Sequence, residues 1–239
     1  MKPLTLALIA VFLAVPVLSL TVPLILEIKD VFTLTASLSS TKLTPLAGAG
    51  ANLTINATTS QPASLVALFG SDVIDLEGTT SFSTTLALPF SLQPGNYTIT
   101  LTANNGTDTA SKNLSFEYLP LEAVLLDVPA LTLSGLAPGT TIDFPGDNDL
   151  ATDLPTLWNG GNVPINIGIA ADTPANGTEK VALANVQVSL NGTYLPLKTS
   201  YQNITLNLQP NETVPLNIRV TVPNASAGNY VGAFKVIVR

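Results

Sequence analysis

The sequence predicts an all-β protein: two immunoglobulin-like β-sandwich domains behind a signal peptide and a long alternating strand. Three observations carry this. Apolar and polar residues alternate with period two in one segment after another, the mark of strands with one buried face. Turn residues break these segments roughly every ten residues, and no helical period appears anywhere, which is the pattern of a sandwich. The chain has 239 residues and a 46% apolar fraction, enough for one large core or two ordinary ones.

Taken in order, residues 1–19 read as an export signal. Lys2 supplies the positive start, and Leu4 to Val15 is an apolar run of about twelve residues. Pro16 ends it, and Val17-Leu18-Ser19 offers a cleavage site. An uncleaved anchor is the competing reading, because apolar character continues to Ile28; Pro16 and Pro23 oppose a continuous spanning helix.

From Leu20 a long alternation follows. Leu20, Val22, Leu24, Leu26, Ile28, Phe32, Leu34, Ala36 and Leu38 share one parity, with Thr21, Glu27, Lys29, Thr33, Thr35 and Ser37 on the other. A run of about nineteen residues is roughly three times the usual strand length. Three uses are open. The run is the first strand of a sandwich, switching sheets at Lys29-Asp30; or residues 20–30 leave the molecule to complete the sheet of a neighbour; or they tether the chain to a membrane. In the second use Leu20, Val22, Leu24, Leu26 and Ile28 are the residues that fill the acceptor.

The first sandwich is assigned to residues 31–119. A Ser/Thr/Gly loop, Ser39 to Gly50, precedes strands expected at Asn52 to Ala57, Ser64 to Phe69, Ser81 to Phe90, Asn96 to Ala103 and Lys112 to Tyr118. Gly70, Gly78, Pro94-Gly95 and Asn105-Gly106 supply the turns. The second, residues 120–239, begins after the Leu119-Pro120 seam. Its strands are expected at Leu121 to Val128, Leu131 to Leu133, Thr140 to Phe144, Val163 to Ala170, Val181 to Leu190, Asn203 to Leu208, Val214 to Val222 and Tyr230 to Val238.

Composition narrows the function. There is no Cys and no His, so disulfides, thiolate chemistry, ordinary zinc sites and imidazole-based triads are excluded. The charged fraction is only 10% and the net charge is −7, with no basic patch, which argues against nucleic acid. Polarity comes instead from Ser, Thr and Asn. Asn-X-Ser/Thr sequons fall at Asn52, Asn56, Asn96, Asn105, Asn113, Asn176, Asn191, Asn203, Asn211 and Asn224. This composition would give about four by chance, so dense N-glycosylation of an exported protein is expected. A sequon asparagine within a strand is expected to face outward. A surface polar through hydroxyls, amides and sugars keeps its solubility when carboxylates are protonated.

One loop carries metal chemistry as a candidate. Asp143, Asp147, Asp149 and Asp153 crowd into one Gly/Pro-containing stretch, and hard oxygen donors in a loop suit calcium; the alternative is a solvated turn. The same carboxylates offer a pair for glycoside hydrolysis, but only Phe144 and Trp158 are at hand as aromatics. The expectation is therefore no enzyme and no cofactor beyond glycans and the candidate calcium. Trp158 is expected to pack rather than to bind a ligand.

Gln93 to Phe116 (QPGNYTITLTANNGTDTASKNLSF) resembles the last hairpin of immunoglobulin-like and PKD-like extracellular domains. Ser226 to Val238 resembles a closing strand of such modules, and Asn159 to Ile169 (NGGNVPINIGI) a mid-domain strand. As a whole, the signal peptide, alternating apolar N-terminus, β-sandwich body, many sequons and lack of Cys resemble the thread filaments of thermoacidophilic archaea. That resemblance implies an extracellular, cell-surface pilus subunit of archaeal type. It would be joined to copies of itself as a homopolymer by donor strand complementation, with a role in adhesion or biofilm formation. Contact with the membrane would occur only through the signal peptide during export. The alternative is a monomeric adhesin or a surface-layer-associated glycoprotein of the cell envelope.

Overall fold

The computed structural model describes residues 31–130, 137–224 and 228–239. The signal peptide, the candidate donor residues 20–30, the proposed switch at Lys29-Asp30 and the strand expected at Leu131 to Leu133 lie outside them. Phe32–Arg239 forms one compact unit. The described residues are all-β apart from one 3-10 turn, and none of their helices is long and apolar enough to cross a membrane.

The first eight strands are β1 (Leu34–Leu38), β2 (Lys42–Leu43), β3 (Ala51–Thr59), β4 (Ser64–Phe69), β5 (Asp72–Leu76), β6 (Ser81–Leu88), β7 (Gly95–Asn104) and β8 (Thr109–Tyr118). They form two sheets, β1-β3-β6 and β2-β8-β7-β4-β5. Alternation builds the core between them: Leu53 and Ile55 of β3 face Ile99 and Leu101 of β7 across it, all fully buried. Phe69, Tyr97 and Phe116 form an aromatic cluster at one edge, with centroids 5.6–5.9 Å apart. The Tyr97 hydroxyl donates to the Gln93 carbonyl at 2.7 Å, tying the start of β7 to the turn before it. This is the tyrosine corner found in immunoglobulin-type sandwiches.

The expected parity of the first strand is present in its described part. Phe32, Leu34, Ala36 and Leu38 pack on the core, while Thr33, Thr35 and Ser37 are exposed. Within the described residues the chain changes sheets at Ser39–Thr41. β1 pairs with β3, and β2 then runs parallel to the end of β8. Two hydroxyl bonds accompany the crossover: Ser39 Oγ accepts the N–H of Thr54 on β3, and Ser40 Oγ accepts the Lys42 N–H two residues on. The pattern misses β5, because Asp72 and Asp75 interrupt its apolar sequence.

The remaining strands are β9 (Val124–Leu126), β10 (Thr141–Phe144), β11 (Thr156–Asn159), β12 (Ile165–Ala171), β13 (Ala175–Asn176), β14 (Glu179–Lys180), β15 (Val186–Ser189), β16 (Leu195–Pro196), β17 (Gln202–Leu208), β18 (Thr213–Pro215), β19 (Asn217–Thr221) and β20 (Phe234–Val238). Sheets β17-β12-β20 and β18-β11-β9 lie along one line of chain, since β11 leads directly into β12. Sheet β10-β19-β15-β16 shares their core, and β13-β14 is a small hairpin. Ile167, Ile169, Leu157 and Leu216 are its fully buried residues.

Two expected strands differ here. Val214 to Val222 is not one strand but β18 and β19 in different sheets. The Leu216 N–H still bonds the Pro155 carbonyl at 3.0 Å, in register with β11, and from Asn217 the chain pairs with β15 and β10 instead. Val181 to Leu190 begins as the 3-10 turn Leu183–Asn185 and becomes strand only at Val186.

Candidate functional site: a stapled seam and polar sheet faces

The two cores meet at the segment Asn159-Gly160-Gly161-Asn162, between β11 and β12. Its two asparagines are wholly buried. Asn162 is bonded at every side-chain polar atom. Its Nδ2 donates to the carbonyls of Leu92 (3.2 Å) and Leu119 (3.0 Å), and its Oδ1 accepts the Leu121 N–H at 2.6 Å. Its backbone N–H donates to the Leu121 carbonyl at 3.0 Å. One side chain therefore ties the turn before β7, the end of β8 and the connection between the cores to the second core.

Asn159 does the same inward. Its Nδ2 donates to the carbonyls of Val163 (2.8 Å) and Leu208 (2.9 Å), and its Oδ1 accepts the Gly161 N–H at 2.9 Å. The glycines between them are needed for close approach. A Cβ on Gly161 would collide with the Leu121 carbonyl oxygen. Across the seam the Gly48 N–H donates to the Gly160 carbonyl at 2.8 Å. Trp158 packs edge-on against Phe90 (centroids 5.6 Å apart), and a Cβ on Gly48 would lie 2.6 Å from its ring. Trp158 is thus a packing residue of the seam.

Sequence reasoning treated Asn159 to Ile169 as an ordinary strand and missed the staple. The available signal was chemical. Asn159 and Asn162 are asparagines outside any sequon, flanking a Gly-Gly pair in a chain otherwise rich in sequons.

The seam also orients the first core. β3 starts at Ala51, next to the loop that touches Gly160. Its partner β1 runs antiparallel, with Leu34 opposite Thr59 and Leu38 opposite Ile55. The chain therefore enters the first core at the end remote from the seam.

The sequon asparagines are exposed with one exception. Asn52, Asn56, Asn96, Asn113, Asn176, Asn191, Asn203, Asn211 and Asn224 are exposed, and only Asn105 is half-buried. Those within longer strands sit at outward positions: Asn52 and Asn56 flank buried Leu53 and Ile55, Asn113 precedes buried Leu114, and Asn203 precedes buried Ile204. The Asn105 amide is already engaged. Its Nδ2 donates to Gln61 Oε1 at 2.8 Å, and its Oδ1 accepts the N–H groups of Thr107 and Asp108.

Around these positions the outer faces are laced by hydroxyl and amide pairs across strands. Thr54 meets Thr85 (3.2 Å), Ser83 donates to Asn56 (2.9 Å), Thr98 meets Ser115 (3.3 Å) and Thr100 donates to Asn113 (3.0 Å). Such pairs stabilise a sheet without ionised groups. Ion pairs among the described residues are few and exposed: Lys42–Glu117, Arg219–Asp143 and Lys235–Asp172.

The candidate calcium aspartates are not brought together. Asp143 lies on β10 and takes both its oxygens to Arg219, at 2.6 and 2.8 Å, with the guanidinium over the Tyr194 ring. Asp147 organises its own loop, accepting the Asp149 N–H and the hydroxyls of Thr152 and Thr156. Asp149 Oδ1 accepts the Ala151 N–H, and Asp153 is exposed. Among the described residues no group of three or more such side chains is placed to hold a metal ion. Crowding in sequence was resolved as turn-forming bonds and one ion pair.

These bonds set the acid response. Hydrogen bonding to Arg219 holds the Asp143 carboxyl below its ordinary value; the Thr152 hydroxyl and the Asp149 N–H do the same for Asp147. A carboxyl depressed on folding contributes stability above its unfolded value, about 3.9, and loses it as pH falls through the folded one. The melting temperature is therefore expected to stay nearly flat from pH 7 to about 4 and to fall as pH drops below that. Calorimetric scans over that range check this; a steep loss above pH 4 would contradict it.

No protein-family model matches the chain, and no curated protein matches it. Solved structures do. The chaperone–tip adhesion subunit pre-assembly complex of archaic chaperone-usher Csu pili from Acinetobacter baumannii matches with 10% identity over 85% of this chain and 99% of that one, at a TM-score of 0.42. A chaperone–tip adhesin complex of CFA/I fimbriae matches with 11% identity over 87% and 83%, at 0.34. The tandem Ig domains of titin match with 10% identity over 86% and 96%, at 0.29. At these values the description of the fold rests on the strand pairing above: an all-β chain of sandwich type, with an immunoglobulin-type tyrosine corner in its first core.

Proposed function

We propose that the protein is a structural subunit of an extracellular surface filament, assembled head-to-tail by donation of Leu20–Ile28 to the next copy, and used in adhesion or biofilm formation. The observation that carries this is the placement of the chain's start. The alternating apolar stretch leads into the first core at the end remote from a stapled seam. A copy can therefore present its donor at one end and keep the rest of its length rigid. A heterologous contact of this kind does not close, so it propagates as a filament. Backbone pairing supplies affinity, and the alternate apolar side chains supply register. The exposed sequons support a glycosylated exterior and an exported location. Nothing in this role calls for catalysis.

Electron microscopy of the mature protein, beside a form lacking Leu20–Ile28, tests the reading. Filaments are expected from the first and single particles from the second, with intact mass on the same samples reporting the glycans. Filaments that persist after the deletion would refute strand donation. Single particles from both would favour the monomeric adhesin.

A further inference from the structure

We infer that the open edge of β20, in the second core, accepts the Leu20–Ile28 segment of another copy; this rests on the donor-strand reading above. Among the described residues β20 pairs only with β12. The hydrogen-bond phase of that pairing fixes what is left over. The Asp172 N–H donates to the Ala233 carbonyl and the Arg239 N–H to the Asn166 carbonyl. Bonded pairs alternate along an antiparallel ladder, so Lys235 and Ile237 also face β12, opposite Ala170 and Gly168. The backbone groups of Phe234, Val236 and Val238 therefore point away from it. Their side chains pack on the second core, but all three are only half-buried. The edge thus offers free N–H and C=O groups beside an apolar face that is incompletely covered.

The edge continues along the same line of chain. β9 flanks β11 as β20 flanks β12, and its Val124 and Leu126 are half-buried against the same core. An incoming strand of the length of Leu20–Ile28, roughly 30 Å when extended, matches an edge of this kind.

The other edges are less suited. β5 carries Asp72 and Asp75, charges that discourage strand addition. β6 and β17 each fully bury two inward residues, Phe82 and Leu88 in one and Ile204 and Leu208 in the other, with Leu86 and Leu206 half-buried between them, whereas no inward residue of β20 is fully buried. The free edge of β8 bears the exposed sequon Asn113, and β1, though half-covered, lies against β8. β10 has only four residues. No sequon falls on β9 or β20.

The location also gives the assembly its direction. The chain enters the first core at the end remote from the seam, and the acceptor lies in the core on the other side of it. Repeating that contact advances along the subunit.

Two measurements on the full mature chain test this. Val236→Pro removes an N–H that faces away from β12, so the β12–β20 ladder stays intact while strand addition is blocked. Loss of filaments is expected, with an unchanged circular dichroism spectrum and melting temperature. Ala36→Pro, which blocks the β1 edge instead, is expected to leave filaments. Separately, p-benzoylphenylalanine in place of Leu24 is expected to photocrosslink to residues 234–238 or 124–126 of another copy. That measurement stands even if Val236→Pro does not fold. Crosslinks mapped instead to β1, β8 or β10, or filaments that survive Val236→Pro, would overturn the acceptor edge. If deletion of Leu20–Ile28 still abolishes assembly in that case, strand donation itself stands; if filaments survive that deletion, the failure belongs to the donor-strand reading.

Discussion

Asn162→Ala is expected to destabilise the protein by about 3–5 kcal/mol. The substitution leaves the Leu92 and Leu119 carbonyls and the Leu121 N–H without their side-chain partner in a closed interface. Each buried group left unsatisfied costs about 1–3 kcal/mol. For a unit of this size the melting temperature should drop by roughly 10 °C. The effect should also change the form of the transition. With the staple removed, the two cores are expected to melt in separate steps, because cooperativity between them runs through this seam. Scanning calorimetry reads both. Limited proteolysis should find new cleavage between Leu119 and Ala123. A loss below about 1 kcal/mol with a single sharp transition would show that the seam holds without Asn162.

Phe116→Ala is expected to cost about 3–5 kcal/mol, the usual range for removing a large aromatic from a core. Phe116 is almost wholly buried and contacts both Phe69 and Tyr97. Emptying it removes the centre of that cluster. The informative part is where the damage appears. In the otherwise native chain, amide exchange should rise in the second core as well, around Gly160 and Gly161, since the staple couples both. In the Asn162→Ala background the rise should be confined to the first core. The double-mutant cycle then isolates the coupling energy of the seam. Equal spread in both backgrounds would mean that coupling runs through the connection alone.

Much of this architecture is legible in the residue order because the side-chain period of a strand is local. β3, β4, β6, β7 and β8 were visible as alternation between turns, and Phe32 to Leu38 kept its parity in the structure. The failures have a common physical origin. The chain changes sheets between Leu216 and Asn217 while Val214, Leu216, Ile218 and Val220 keep one buried parity, so β18 and β19 looked like one strand. Asp72 and Asp75 face solvent at a sheet edge, where charge is tolerated, so β5 looked like loop. At Ser39 and Ser40 the chain switches between sheets, with hydroxyl bonds to backbone that period-two counting does not register.

The site was less legible than the fold. Outward sequons followed directly from parity. The aspartates between Asp143 and Asp153 looked like a ligand set because sequence shows proximity but not direction. Arg219, which claims Asp143, lies far along the chain. Asn162 was invisible for the same reason: its partners Leu92, Leu119 and Leu121 offer only backbone atoms, and backbone has no signature in sequence.

Trp158 is the only tryptophan in the chain, and it stands at the seam, against Phe90 and Gly48. The protein therefore carries a built-in optical probe of a single locus. Its emission reports whether the two cores are joined. In the proposed filament, mechanical load would pass through that locus in every subunit. A shift of emission to longer wavelength under stretching or dilute denaturant, before strand content is lost, would mark the joint yielding ahead of either core.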